Sequence, residues 1–109
     1  MAYLGQLVSM AEKYVWAVIS PEDESLMDAK LMSAKPTLHE LQQAVGGNIQ
    51  PIPNSWIKAG IRTMYVNEEG MWQKLPVNKL AHELLDIQMD YPLLGPVVVQ
   101  WKPSRIIGE

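Results

Sequence analysis

The chain has 109 residues, enough for one domain with a single hydrophobic core. Apolar residues make up 48% and charged residues 19%, which is typical of a folded globular protein and not of a disordered chain. The absence of cysteine excludes disulfides, thiol catalysis and thiolate-bound metals. The formal net charge is -3 and the Lys and Arg residues are scattered, so we do not expect nucleic acid as the main partner.

The apolar runs are short. The longest, Pro96–Val99 with two leucines just before it, falls far below the roughly 18 residues that a membrane span needs. The first residues also lack the basic and continuous apolar regions of a secretory signal. The sequence therefore predicts a cytoplasmic protein with no membrane partner.

The chain divides into a core region and two short ends. Residues 1–13 carry apolar residues at helical spacing, which predicts an N-terminal leader with a short amphipathic helix. Residues 14–101 are predicted to form a single α+β domain, and residues 102–109 a C-terminal tail.

The first predicted strand is Tyr14–Ser20, which is rich in aromatic and β-branched residues. An acidic, turn-forming loop follows at residues 21–25. Residues 26–33 fit both a strand and a helical period, and their Met, Ala, Leu and Lys residues have good helix propensity. We interpret them as the second strand of a β-hairpin, because a short loop connects them to the first strand.

A capped helix is predicted next. Thr37 and Glu40 have the spacing of a capping box, and Gly46-Gly47 can end the helix with a residue of positive φ. Residues 48–53 then form a strand with two prolines, which cannot donate to neighbours on both sides and so indicate a sheet edge.

The stretch from Met64 to Leu85 packs several elements together. Residues 61–66 are predicted as a strand, residues 67–70 as a turn in which Gly70 is able to take positive φ, and residues 71–75 as a short returning strand. Asn78 is the predicted N-cap of a second helix.

The last predicted element is residues 96–101, a β-branched strand that we expect to be buried on both sides. The resulting order predicts an α+β fold, a small mainly antiparallel sheet with two helices on one face in a β-grasp-like arrangement. If residues 26–33 do not form a strand, the order becomes βαββαβ and a ferredoxin-like fold replaces it.

No catalytic group of residues is evident in the sequence. His39 and His82 are predicted as surface histidines on the polar faces of the two helices, without partners at metal-ligand spacing. No serine lies in a nucleophile motif, and Gly46-Gly47 follows a helix, whereas a phosphate-binding loop precedes one. We therefore expect no enzyme activity, no cofactor and no bound metal.

The remaining candidates form a partner-binding surface. Trp16 and Trp101 lie on predicted strands and are expected in the core, while Trp56 and Trp72 lie in loop or edge segments. The polar residues with no evident structural role are Glu68, Glu69 and Lys79. The predicted partner-binding residues are Trp56, Glu68, Glu69, Trp72 and Lys79.

Four segments together resemble a known family: residues 41–49, 66–70, 75–81 and 95–99. In order and spacing they are similar to the family that carries the domain of unknown function 3846, over about residues 14–101. The resemblance implies a strand and hairpin before the first helix. It also implies an origin in phages or bacterial mobile elements and an accessory role in an infected bacterium. The family brings no established activity with it.

Two functional hypotheses follow from the sequence. The first is a non-catalytic protein-interaction module that acts on a host or viral protein, for instance a defence component. The alternative is a protein that binds or sequesters a small ligand such as a nucleotide. The sequence leaves open whether the chain forms a homo-oligomer. The valine run near Val98 would pair with a second copy if it lay at a sheet edge.

Overall fold

The computed structural model describes residues 14–101. The predicted leader at residues 1–13 and the predicted tail at residues 102–109 lie outside the described residues. The described elements, in chain order, are strand β1 (Val15–Ile19), a 3₁₀ turn (Leu26–Asp28), strand β2 (Lys30–Leu31), helix α1 (Leu38–Val45), strand β3 (Ile49–Pro51), a second 3₁₀ turn (Asn54–Trp56), strand β4 (Ile61–Asn67), helix α2 (Lys79–His82) and strand β5 (Val97–Trp101).

The five strands form one sheet in the order β2-β1-β5-β4-β3, and every neighbouring pair is antiparallel. Strand β5 therefore lies at the centre. Its three valines, at 97, 98 and 99, are fully buried, and their side chains alternate between the two faces of the sheet. The prediction that this strand is buried on both sides is confirmed.

Helix α1 covers one face of the sheet. Its buried residues Leu41 and Val45 pack around Val98. Trp16 and Tyr65 complete this cluster from β1 and β4, with their rings stacked 6.0 Å apart at an interplanar angle of 2°. Trp16 is thus half-buried on this face, whereas Trp101 is buried in the main core on the other.

The opposite face carries the larger core. Residues of β1, β4 and β5 meet Ala81 of α2 there, but most of the cover comes from loop residues. Helix α2 has only four residues, so Ile52, Ile57, Leu85 and Leu93 from the flanking loops bury the rest of the surface.

The α+β class with a mainly antiparallel sheet and two helices is confirmed. The helices, however, lie on opposite faces and not on one face as predicted. The reason is that the central strands are apolar on both sides, with Val97 and Val99 on one face and Val98 on the other, so each face needs cover.

Residues 26–33 contain both a short helical turn and a strand, the two kinds of structure that their sequence pattern allows. Leu26–Asp28 form a 3₁₀ turn capped by the Ser25 side chain, and Lys30–Leu31 then pair antiparallel with β1. The hairpin interpretation is confirmed, although its second strand is only two residues long. Because β2 forms, the order is hairpin, helix, hairpin, helix, strand, and the ferredoxin-like alternative does not apply.

The segment after β4 differs from the prediction. Residues 71–75 do not form a strand, because the backbone N–H groups of Gln73, Lys74 and Leu75 donate to carbonyls at positions 69–71 within the same turn. Gly70 does not use the positive φ that a glycine can take. Gly70 instead lies close to Leu94: a Cβ atom added to Gly70 would lie 3.1 Å from the Leu94 Cβ.

Asn78 caps α2 as predicted and also joins three parts of the fold. Its side-chain oxygen accepts from the Ala81 N–H, and its Nδ2 donates to the carbonyls of Ile19 and Gly95 at 2.8 and 2.9 Å. The residue is fully buried. The end of β1, the start of α2 and the residue that leads into β5 are therefore held together by one amide.

The two sheet edges are β2 and β3. The predicted edge position is confirmed for β3, which pairs with β4 alone among the described strands. The strand contains Pro51, and Pro53 lies just after it. Strand β5 is central, so its valine run cannot pair with a second copy. In the described part of the chain, neither helix has the length and apolar run needed to cross a bilayer.

Candidate functional site

A cleft of about 420 Å³ opens beside the β3 edge of the sheet. Three segments form its walls, at residues 50–56, 66–71 and 89–94, which are distant in the sequence and adjacent in the fold. The lining is mostly apolar: Pro51, Ile52, Pro53, Trp56, Val66, Met71, Met89, Tyr91, Pro92, Leu93 and Leu94, with the polar residues Gln50, Asn67 and Glu68, and Gly70.

The first wall segment is fixed by the second 3₁₀ turn. The backbone N–H of Trp56 donates to the Pro53 carbonyl, and the Trp56 carbonyl accepts from the Asp86 N–H at 2.8 Å. The Trp56 side chain packs against the main core and also lines the cleft. Ile57, the next residue, is buried in the same core.

Asn67 fixes the second wall segment. Its Nδ2 donates to the Val45 carbonyl at 3.0 Å and to the Gln73 side-chain oxygen at 3.1 Å, and its Oδ1 accepts from the Glu69 N–H at 2.7 Å. Asn67 is buried, so its bond to the Val45 carbonyl is shielded from water. Together the three bonds tie the turn that carries Glu68–Trp72 to the end of α1.

His82 supports the third wall segment. Its Nε2 accepts a hydrogen bond from the Leu93 N–H at 2.7 Å, and the Leu93 carbonyl accepts from the Asn78 N–H at 2.8 Å. Since Nε2 accepts, the ring carries its proton on Nδ1 in this arrangement. The predicted surface position is therefore wrong for His82, which is half-buried, and confirmed for His39, which is exposed.

Large apolar side chains project into solvent around the cleft. Trp72 is 86% exposed, Tyr91 66% and Met71 65%. Met71 and Tyr91 line the cleft from opposite wall segments, and Trp72 follows Met71 in the turn. Their side chains cover little of the protein's own core, so their contribution to folding is small compared with that of the buried residues.

The three wall segments of the cleft carry negative charge. The three wall segments contain Glu68, Glu69 and Asp90 and no Lys, Arg or His. All three carboxylates are exposed, and Glu68 lines the cleft itself.

The structure brings together four of the five predicted partner-binding residues. Trp56 and Glu68 line the same cleft, and Glu69 and Trp72 lie in the turn that forms its second wall. Lys79 does not line the cleft; it is the exposed first residue of α2.

Sequence reasoning missed Met71, Met89 and the Tyr91–Leu94 segment. Residues 71–75 are predicted as a strand from the sequence, and no binding role is predicted for Tyr91. The signal that could have identified this surface is an aromatic residue next to Pro92, since large aromatic side chains are enriched at interfaces.

The described residues contain little that suggests chemistry. Among residues 14–101, no group of three or more His, Asp or Glu side chains is placed to hold a metal ion. The pKa of Glu40 lies below its ordinary value, first because the carboxylate accepts a hydrogen bond from the Thr37 backbone N–H, and also because Ser33 donates to it. Glu40 belongs to the capping box of α1 and does not line the cleft.

The comparisons with known proteins identify a family. Neither the search of curated proteins nor the search of solved structures found a match to the chain. A family model described as "Domain of unknown function (DUF3846)" matches residues 17–103, which is most of the 109-residue chain. The match confirms the resemblance drawn from the four sequence segments, and the chain belongs to the DUF3846 family.

Proposed function

We propose that this domain is a non-catalytic protein-interaction module that binds its partner at the cleft beside β3. The observation that carries the proposal is the group of exposed side chains Met71, Trp72 and Tyr91 around an apolar cleft. Exposed apolar clusters of this kind typically mark interaction sites, and Trp and Tyr are the residues that most often dominate binding energy at interfaces.

The setting that we propose comes from the family resemblance. It is that of an accessory protein of a phage or mobile element, acting in the cytoplasm of the host bacterium. The partner is then a host or viral protein. The acidic walls of the cleft support a protein partner over nucleic acid, because they repel phosphate groups.

The proposal is tested with a double variant, Trp72→Ala with Tyr91→Ala. Immobilised wild-type protein is exposed to lysate of a bacterial host, and a protein that is retained stoichiometrically is identified and purified. Its affinity is then measured by calorimetry. We expect the double variant to weaken binding by at least about a hundredfold, since truncation of a hot-spot residue costs about 2 kcal/mol or more.

The matched control is Met27→Ala with Leu31→Ala. Those side chains are 89% and 74% exposed near the β2 edge, and neither lines the cleft. Equal weakening by both double variants, or no weakening by the first, would contradict the proposed surface.

A second candidate is supported by the volume of the cleft, which lies in the range of small-molecule pockets. In this second candidate function, the domain binds or sequesters a small ligand, for instance a nucleotide. Among the residues that the structure describes, no Lys or Arg lines the cleft to meet a phosphate, which makes this candidate the weaker one. A shift of several degrees in the unfolding midpoint with one member of a nucleotide panel would favour it over the protein partner.

A further inference from the structure

We infer that the cleft selects a protein segment in which large apolar side chains flank a lysine or arginine. This inference rests on the proposed interaction function and specifies the partner's chemistry. It follows from two separate features of the cleft, its charge and the hydrogen-bonding groups of its β3 wall.

The first feature is electrostatic. The wall segments carry three carboxylates and no cation, so their net charge of -3 equals that of the whole chain. Among the described residues, Glu68 is the single Asp or Glu that lines the cleft, whose lining also includes Pro51, Met71 and Tyr91. A carboxylate next to apolar groups gains most from a cationic partner, because the bound segment displaces the water that screens the charges.

The second feature is the backbone of β3. The Ile52 N–H donates to the Met64 carbonyl, and the Asn48 carbonyl accepts from the Glu68 N–H, so even-numbered residues of this strand face β4. Pro51 therefore turns its backbone away from the sheet, and it has no N–H. This part of the wall offers a carbonyl acceptor without a neighbouring donor.

The two features select the same kind of group. A Lys ammonium or an Arg guanidinium carries only donors, so it suits both the Glu68 carboxylate and the Pro51 carbonyl. A partner strand that extends the sheet is less suitable, because Pro51 cannot donate to it. The apolar residues on each side of the cation would contact Trp56, Met71 and Tyr91.

The same features argue against other occupants. An acidic peptide or a phosphate-bearing ligand would be repelled by the three carboxylates. A second copy of the chain would bring another acidic cleft surface, so two clefts would not pair face to face.

The experiment uses a random-sequence peptide library displayed on a surface and panned against the full chain. Wild-type protein is expected to enrich peptides with Lys or Arg between large apolar residues. The Glu68→Lys variant is expected to lose these peptides and to enrich peptides with Asp or Glu at the same position. Glu24→Lys is the matched control, since it makes the same charge change at an exposed loop residue outside the cleft and should leave the enriched peptides unchanged.

The best enriched peptide is then synthesised and titrated. We expect Glu68→Gln to weaken it by about tenfold to a hundredfold, in line with a hydrogen bond to a charged group, and added salt to reduce its affinity for the wild type more than for the variant. The unfolding midpoint of each variant shows whether it remains folded.

The outcomes separate this inference from the proposed function. One outcome is that the enriched peptides bind at the Trp72 and Tyr91 surface but show no preference for Lys or Arg. That result would overturn the inference and leave the proposed interaction module standing. Enriched basic peptides whose binding is unaffected by Trp72→Ala with Tyr91→Ala would contradict both. If no peptide is enriched, recognition of a short segment is wrong, and only a folded partner found by lysate capture would support the module.

Discussion

Asn78 joins three backbone groups through one buried amide, and its substitution has a predictable cost. In Asn78→Asp the side chain still accepts from the Ala81 N–H, but an oxygen replaces Nδ2 and faces the carbonyls of Ile19 and Gly95. Each buried group without a partner costs about 1–3 kcal/mol, and a buried carboxylate adds to that. We expect the free energy of unfolding to fall by about 3 kcal/mol or more.

Urea unfolding of wild type and variant measures this loss. The matched control is Asn48→Asp, since Asn48 is exposed and its Oδ1 accepts from Gln42 Nε2 at 3.4 Å, which an Asp oxygen can also do. A loss for Asn78→Asp no larger than that of the control would show that the amide does not hold these three segments together.

Lys74 is strained in a way that a glycine would relieve. Its φ is 54°, and no other non-glycine residue among the described positions has positive φ. That conformation costs a non-glycine residue about 1 kcal/mol or more, while glycine adopts it freely at some cost in chain entropy. Lys74→Gly is therefore expected to raise the free energy of unfolding by up to about 1 kcal/mol.

Thermal and urea unfolding check this prediction against Lys58→Gly. Lys58 is also an exposed loop lysine but has no positive φ, so glycine there brings only the entropy cost and should destabilise. Destabilisation by both substitutions would mean that Lys74 is not strained.

Local roles of single residues could be predicted from the sequence, and long-range roles could not. The caps at Thr37 and Asn78 were predicted because the groups they bond lie three residues further along the chain. The bonds from Asn78 to Ile19 and Gly95 span 59 and 17 residues, and no spacing rule reaches that far. The same limit applies to Gly70, because the residue that leaves little room for a side chain there is Leu94, which is distant in the sequence.

At the scale of elements, the capping box of α1 predicts a response to acid. The folded state lowers the pKa of Glu40 because its carboxylate accepts from the Thr37 backbone N–H. The stabilising effect of Glu40 is therefore fully present above the ordinary pKa of a glutamate and is lost as pH falls through the lowered value. Below that pH the Glu40 carboxyl group is neutral, so its hydrogen bond to the Thr37 N–H loses the extra strength that the negative charge gives.

Glu40→Gln tests this response. The variant is neutral at every pH, so we expect the difference in unfolding free energy from wild type to be largest near neutral pH and to shrink as the solution is acidified. Urea unfolding over a pH series measures it, with Glu22→Gln as a control for loss of an exposed charge. A difference that stays constant with pH would contradict the role of the ionised carboxylate.

Secondary structure could be predicted where side chains set it and not where backbone bonds inside a turn decide it. Strands β1, β4 and β5 follow from their β-branched and aromatic residues, as does helix α1 from its caps. Residues 71–75 lie after a glycine and read as a returning strand, but the local bonds of Gln73, Lys74 and Leu75 hold them in a turn. The burial of β5 on both sides was predicted, but the sequence does not show which element covers which face of the strand, so both helices were placed on one face.

At the scale of the whole molecule, Pro51 of β3 protects the sheet from extension. Pro51 faces away from β4 and presents no N–H to a second chain. Pro51→Val would supply that donor on an exposed β-branched residue, and we expect the variant to self-associate at concentrations where the wild type does not. Light scattering coupled to size-exclusion chromatography measures the difference in mass.

Gln50→Val is the control for Pro51→Val. It adds the same side chain to the same strand, but its backbone faces β4 and offers nothing new to another molecule. Equal association of both variants would assign the effect to apolar surface, and association of neither would show that the proline does not guard this edge.

The cleft itself is a whole-molecule property. Trp56 and Glu68 were predicted as binding residues singly, from exposure and the lack of another role, and the fold then placed them in one cleft with Tyr91. Their adjacency depends on three loops that meet at the β3 edge, held there by Asn67 and His82. No local pattern in the sequence encodes that meeting, so the site could be predicted in part and the cleft could not.

The central position of β5 bears on how the chain folds. The hairpins β1–β2 and β3–β4 form from neighbouring segments, but they join only through β5, which follows both in the sequence and pairs residue 101 with residue 15. Contacts between such distant segments slow folding, and a two-stranded hairpin alone is marginally stable in water. On a ribosome the sheet therefore stays in two halves, each with an unpaired edge, until the three valines have emerged to close it.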